Sequence, residues 1–204
     1  SRHITSSADP DVLTVPGDIA DPETGARLVD RAAEHLGQVD TLVDNAGVFV
    51  AEPFTDYADA YFDMVTGVSL RGFFSVTRQA IAAMLRSNGT RRGHVVDISA
   101  SLVDHANTAV PSALASLTKG GLNAVTRSLA IECAACGVRV NTVSPVVIRT
   151  PMHAEETYDT LAALQSAGRM SDVGDIVEAI ANLETAEFVT GEILHVDGGQ
   201  SAGN

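Results

Sequence analysis

Four loops carry the residue types that could do chemistry: Gly17-Asp18-Ile19, Asp44-Asn45-Ala46-Gly47, Ser99-Ala100-Ser101 and Ser144-Pro145-Val146-Val147-Ile148. They are rich in small residues, which let a ligand approach the backbone. Behind the third loop stand Asp104 and His105, and an imidazole titrates in the range that suits proton transfer. His153, just after Thr150-Pro151-Met152, is a second such histidine, in a stretch that reads as a mobile lid. Cys133 and Cys136 form a C-A-A-C spacing, which in some proteins marks a redox or metal pair. No second cysteine pair exists and no histidine stands at a matching distance. Two reduced thiols near the end of a long helix are the simpler account, and no metal site is expected.

Such loops need a scaffold that brings them together. Short apolar runs alternate with helical stretches, the pattern of a parallel sheet with covering helices. Val12 to Val15 reads as a strand closed by Pro16-Gly17. Asp21 suits a helix N-cap and Pro22 the first helical position. Leu28, Val29, Ala32, Ala33 and Leu36 give that helix an apolar face, and Gly37 ends it. Val39 to Val43 is the next strand. One long helix is expected from Tyr57 to Leu85, with Gly67 and Gly72 inside it. Each glycine costs about 1 kcal/mol there relative to alanine, which implies close packing. A polar loop from Ser87 to Gly93 precedes a strand at His94 to Ile98. A helix begins at Pro111, runs to Cys136 and stops at Gly137. Val138 to Val143 is a strand, Gly174 opens a short helix, and Ile193 to Val196 is the last strand. In sheets of this kind the ligand crevice lies outside the carboxyl ends of the strands, where these loops fall.

The chain has 204 residues, with 13 Lys and Arg against 26 Asp and Glu, a formal charge of −13. Hydrophobic residues make up 45%, a globular composition. A chain of this length hides roughly 70% of its unfolded surface, enough for one core, so residues 1–204 read as one domain. The acidic balance argues against a nucleic-acid backbone or an anionic membrane as partner. No run of about 18 apolar residues exists, and the N-terminus lacks the apolar core of a signal peptide. A cytoplasmic location is expected.

Taken together, the loops resemble the short-chain dehydrogenase/reductase family. Asp44-Asn45-Ala46-Gly47 is similar to its Asn-Asn-Ala-Gly turn. Thr118-Lys119-Gly120-Gly121 through Ala130 resembles its catalytic helix. Val138-Arg139-Val140-Asn141 with Ser144-Pro145 resembles the next strand and loop. Phe188-Val189-Thr190-Gly191 with Val196-Asp197-Gly198-Gly199 resembles its C-terminal end. The resemblance spans the whole chain in order. It implies a Rossmann-type doubly wound parallel sheet and a nicotinamide dinucleotide, NAD or NADP. Asp18 and Ile19 would lie against the adenine, and Asn45, Ala46, Gly47 and Val68 would line the adenosine side. Lys119 would bond the nicotinamide ribose, and Ile148 and Thr150 would hold the carboxamide end. Family helices around Phe73 and Leu122 form subunit contacts, which implies a homodimer or homotetramer.

The departures are as informative. No G-x-x-x-G-x-G turn, which binds the pyrophosphate in this family, occurs in the sequence. The first βαβα unit that carries it, roughly 45 residues, is missing, so the choice between NAD and NADP is unreadable. In the family's strand order, 3-2-1-4-5-6-7, that leaves Val12 to Val15 without a neighbour and the edge at Val39 to Val43 bare. The expectation is a chain incomplete at its N-terminus. The family's proton-transfer set is Asn, Ser, Tyr and Lys. Here the tyrosine position, four before Lys119, is Ala115; the serine position is Ala100, or is displaced to Ser99 or Ser101; the asparagine position is Ser69. Only Lys119 is kept, and Ser101 and His105 are the candidate replacements. The implied activity is NAD(P)-dependent oxidation or reduction of a small alcohol or carbonyl. The alternative is a catalytically inactive relative that binds dinucleotide or forms oligomers. Residues Pro151 to Ala167, with Met152, Glu155, Glu156, Tyr158, Leu161 and Leu164, are expected to cover a small to medium substrate that is not strongly anionic.

Overall fold

A computed structural model describes residues 4–87, 93–163 and 165–203. The polar loop expected around 88–92 and Leu164 of the expected substrate cover lie outside the described residues.

Helix α1, Pro22–Leu36, starts as its sequence dictates: the Asp21 carboxylate accepts from the Glu23 N–H at 3.0 Å, Pro22 fills the first turn, and Gly37 closes it at φ 87°. Strand β1 is Thr41–Asp44. The single helix predicted from Tyr57 to Leu85 is instead three pieces. Helix α2, Asp59–Thr66, passes through a wider π-type turn at Gly67–Gly72 into α3, Phe73–Arg86. The two glycines bracket the wide turn and let the backbone open there, at a place where such turns often serve function. Strand β2, Gly93–Ile98, leads through a short turn at Ser101–Val103 to α4, Ala113–Ala134. Strand β3 is Val138–Pro145, followed by α5, Tyr158–Ala163, then α6, Val173–Thr185, and strand β4, Ile193–Val196.

The four strands form one parallel sheet in the order β1-β2-β3-β4. Alternation along β2 sends Val95 to one face and Val96 to the other. Val95 packs with Val29, Ala80, Met84, Ala130, Val138 and Val140, between the sheet and α1, α3 and α4. Val96 packs with Ile98, Val143, Ile176 and Leu183, under α6. Helices thus cover both faces, the doubly wound arrangement. At Gly25 a Cβ would fall 2.9 Å from the Ser75 carbonyl carbon, so α1 reaches α3 only because this residue is glycine.

The strand predicted at Val12 to Val15 is absent. A strand needs a partner for its backbone groups, and β1 ends the sheet on that side, with Val43 exposed, as the bare edge predicts. The segment instead lies along α1, where Arg27 donates to the Pro16 carbonyl at 3.2 Å and His35 reaches the Pro10 carbonyl at 3.2 Å. At the amino ends of the strands, His94 meets Glu184 at 2.7 Å and Asn141 at 3.0 Å, while Arg139 donates to the carbonyls of Leu183, Glu184 and Val189. This cluster ties α6 to β2 and β3. A cavity of about 510 Å³, lined in part by His94, Arg139, Glu184 and Phe188, opens at that end, the opposite end from the four loops. None of the helices among the described residues is long and apolar enough to cross a membrane.

Candidate active site

The carboxyl ends of β1 and β2 and the first half of α4 build the site. At the end of β1, the Asp44 carboxylate accepts from the Ala46 N–H at 3.1 Å. That bond folds the Asp44-Asn45-Ala46-Gly47 turn back on itself and leaves Asn45 and Gly47 exposed. Helix α4 brings Lys119 over the end of β2, where its ammonium donates to the Ile98 carbonyl at 2.6 Å. The Ser99 hydroxyl donates to the backbone carbonyl of Lys119 at 3.3 Å and fixes helix to strand. A Cβ on Gly47 would stand 3.4 Å from the Lys119 Nζ. The small turn residue therefore leaves the ammonium open toward the loop.

Asp97 joins this group, although nothing in the loop pattern points to it. It is fully buried on β2, and the β1–β2 register pairs it with Asp44. The Thr126 hydroxyl lies 3.2 Å from its Oδ2 and 2.7 Å from the Thr142 hydroxyl. Its Oδ1 has no hydrogen-bond partner among the described residues. Burial pushes the Asp97 carboxyl up to about 8; the Asp44 charge adds to this, and Thr126 and Lys119 oppose it. Burial likewise raises Asp44, against the Ala46 N–H and Lys119. Burial lowers Lys119, while Asp44 and Asp97 pull it back up. A carboxylate within the apolar run His94-Val95-Val96-Asp97-Ile98 is the sequence signal that marks the position.

The other candidate residues fall into separate groups. Asp18 and Ile19 are half-buried. The Asp18 carboxylate accepts from the Ala20 N–H at 3.0 Å, and Ile19 packs against Gly72 of the wide turn that also carries Val68. Ile148 bridges to Ser171 and packs on the α6 side of the core. The Thr150 hydroxyl accepts from the Met152 N–H at 3.4 Å. Ser101 is buried, and its hydroxyl donates to the Gln200 side-chain oxygen at 3.1 Å. His105 ends the same turn, half-buried, its N–H bonded to the Ser101 carbonyl at 2.9 Å. Asp104 meets His195 of β4 at 3.0 Å, a pair that adjacency in sequence could not reveal. Cys133 is buried, Cys136 is exposed, and both are free thiols on the last turn of α4 or beyond it.

Ala115 is buried one turn before Lys119, at 6% exposure. A phenol there must displace packed neighbours. Ala115→Tyr is therefore expected to destabilise the protein by about 1–3 kcal/mol, read as a lower melting temperature. An unchanged melting temperature would show that space for a tyrosine exists.

The parallel sheet, its two helical layers and the lysine at the strand ends define a Rossmann-type α/β protein. A family model described as enoyl-(acyl carrier protein) reductase matches residues 2–201. The cis-4-hydroxycyclohexanecarboxylate dehydrogenase of Sinomonas cyclohexanicum is 37% identical over 198 residues, which span 93% of this chain and 77% of that protein. The 3-oxoacyl-(acyl-carrier-protein) reductase FabG of Thermotoga maritima is 29% identical over 202 residues, 96% of this chain and 78% of that one. Among solved structures, a short-chain type dehydrogenase/reductase from Mycobacterium ulcerans matches with a TM-score of 0.82 at 27% identity, over 92% of this chain and 70% of that one. A structure described as ElxO with NADP bound matches in fold with a TM-score of 0.85 at 23% identity, over 93% of this chain and 78% of that one. The chain belongs to the short-chain dehydrogenase/reductase family, a family of oxidoreductases.

Proposed function

We propose that this protein is an NAD(P)-dependent oxidoreductase acting on a small alcohol or carbonyl, with proton-transfer groups other than a tyrosine. The observation that carries this reading is Lys119, an ammonium held beneath the exposed Asn45–Gly47 turn at the carboxyl end of the sheet. A half-buried cation beside a glycine turn, with no side chain between them, fits a ribose diol. In this reading Lys119 holds the nicotinamide ribose, and Asn45, Ala46, Gly47 and Val68 line the adenosine. Asp18 and Ile19 lie against the adenine, and Ile148 and Thr150 receive the carboxamide end. Ile19 and Val68 share the wide turn region, which supports one continuous adenine-side wall. The dinucleotide supplies or accepts the hydride.

Proton handling falls to this chain's own groups. Ser101 is kept oriented by Gln200, and His105 supplies an imidazole on the same turn. NADP in the ElxO structure and the dehydrogenase and reductase names of the relatives support the cofactor class. The 37% identical relative named for a hydroxycyclohexanecarboxylate supports a compact secondary alcohol as substrate. Arg149, stacked 5.4 Å over the Tyr158 ring, steadies the segment proposed to cover it. A homodimer or homotetramer in the cytoplasm completes the reading. Phe74, Leu117 and Ile131 lie exposed on α3 and α4 and support an assembly through those helices.

One observation favours a second reading, a dinucleotide-binding protein without turnover: the tyrosine position is a buried alanine. A panel of ketones and aldehydes assayed with NADH and NADPH separates the two. Oxidation above background that falls in Lys119→Ala supports the enzyme. Saturable binding with no turnover on any substrate selects the second reading.

A further inference from the structure

We propose that Asp44 and Asp97 act as one carboxyl pair that holds a single proton at neutral pH, leaving the charge on Asp44, which makes Asp44 the positioning residue that keeps Lys119 charged. The inference rests on the reading of Lys119 as the ribose contact. Its geometry starts in the sheet. Parallel neighbours lie about 4.8 Å apart, and Asp44 and Asp97 are register partners at the end of β1 and β2. Their side chains therefore leave the same face, toward α4. Like charges directly opposite each other on one face repel, so the half-buried Asp44 carboxylate raises the cost of a second charge on the fully buried Asp97.

Their surroundings differ, which assigns the proton. Asp97 is fully buried; one oxygen meets the Thr126 hydroxyl and the other has no partner among the described residues. Asp44 lies nearer the loop and is stabilised as an anion by the Ala46 N–H. The proton resides on Asp97 and the negative charge on Asp44. Burial, which pushes the Asp97 carboxyl up to about 8, agrees with this assignment. The charged groups that bear on the pair are Lys119, which acts on both carboxyls, and Asp44, which acts on Asp97. From α4 the Thr126 hydroxyl meets Asp97, and it is itself bonded to the Thr142 hydroxyl of β3. Arg71, Arg78 and Arg86 before and along α3, and Arg127 on α4, are exposed.

Lys119 depends on this arrangement. Burial works against its charge, and its bond to the Ile98 carbonyl is to a neutral group. The Asp44 anion is the partner that offsets the burial. Without it the lysine loses its proton at a lower pH, and a neutral amine makes a weaker bond to a ribose hydroxyl.

The test uses the intact protein without dinucleotide, so it does not depend on turnover. Amine acetylation at a series of pH values, read by mass spectrometry at Lys119, gives the pH midpoint of that lysine. Asp44→Asn is expected to move the midpoint down by about one pH unit or more. Asp97→Asn is expected to leave labelling at pH 7 unchanged, because the native carboxyl is already neutral there. Melting temperatures give the second readout. Asp97 binds its proton more tightly when folded, so its stability contribution is present below the ordinary carboxylate range and is lost as pH rises through about 8. The wild type should lose melting temperature relative to Asp97→Asn as pH is raised from 5 to 9. An unshifted midpoint in Asp44→Asn, or parallel melting curves for wild type and Asp97→Asn, overturns the pair. If the midpoint and the melting curves behave as expected but neither NADH nor NADPH binds, the ribose reading of Lys119 fails and the carboxyl pair stands.

Discussion

Lys119→Ala should weaken NADH or NADPH binding roughly 10- to 150-fold, the loss of one charge-assisted hydrogen bond of about 1.5–3 kcal/mol. Turnover should fall further, by about 10²–10⁴-fold, because a group that orients the reacting end of a cofactor acts in the transition state as well as in binding. The site makes this residue hard to replace. Its ammonium is fixed by the Ile98 carbonyl, feels the charges of Asp44 and Asp97, and stands 3.4 Å from where a Cβ on Gly47 would lie. Alanine also removes the positive charge that lowers the Asp44 carboxyl and the stem that packs at the strand ends. Lys119→Met keeps most of the stem's packing and separates the two effects. A methionine variant that melts like the wild type yet binds dinucleotide poorly assigns the loss to the charge. Binding and turnover within a factor of two of wild type in either variant would remove Lys119 from the mechanism.

Met84→Ala should cost about 2–5 kcal/mol. For a chain of this size that lowers the melting temperature by roughly 4–20 °C. Met84 is fully buried and packs with Val29, Ala80, Val95, Val138 and Val140, where α1 and α3 meet the sheet. The partly buried residues packed against that cluster include Val39, Leu42, Ile81 and Leu129. The opposite face, around Val96, Val143 and Ile176, does not touch Met84 and should keep its packing. A change below about 1 kcal/mol would mean that α3 collapses onto the space left behind. The β2 backbone would then be less firmly held from this side than its burial implies.

These expectations rest on elements that differ in how plainly the sequence displays them. Helix α1 is legible because its limits are local: Asp21, Pro22 and Gly37 each act on their own backbone. Strands β2 and β3 are legible because strands covered on both faces must be apolar almost throughout. Val12 to Val15 has the composition of a strand, but pairing is non-local, and among the described residues no strand lies on that side of β1. The wide turn at Gly67–Gly72 hides within a helical pattern, since an extra residue per turn shifts the apolar periodicity only slightly.

The site divides the same way. Asn45, Gly47 and Lys119 are legible as a turn and a helix that resemble one family, and the structure brings the turn and the lysine together. Asp97 is not, because its role comes from register with Asp44 and from burial under α4, neither of which is written in neighbouring residues. Ser101 and His105 do share one turn, but Ser101 is engaged with Gln200, almost a hundred positions away in sequence. The pairing of Asp104 with His195 is equally remote.

Calorimetric titration of the purified protein with NADH and NADPH tests the central claim most directly, since every assigned role depends on a dinucleotide lying across the carboxyl end of the sheet. Saturable binding of at least one of them, with one site per chain and a weaker site in Lys119→Ala, is the result this account expects. No saturation by either dinucleotide at millimolar concentration, or saturation that is the same in Lys119→Ala, would contradict it.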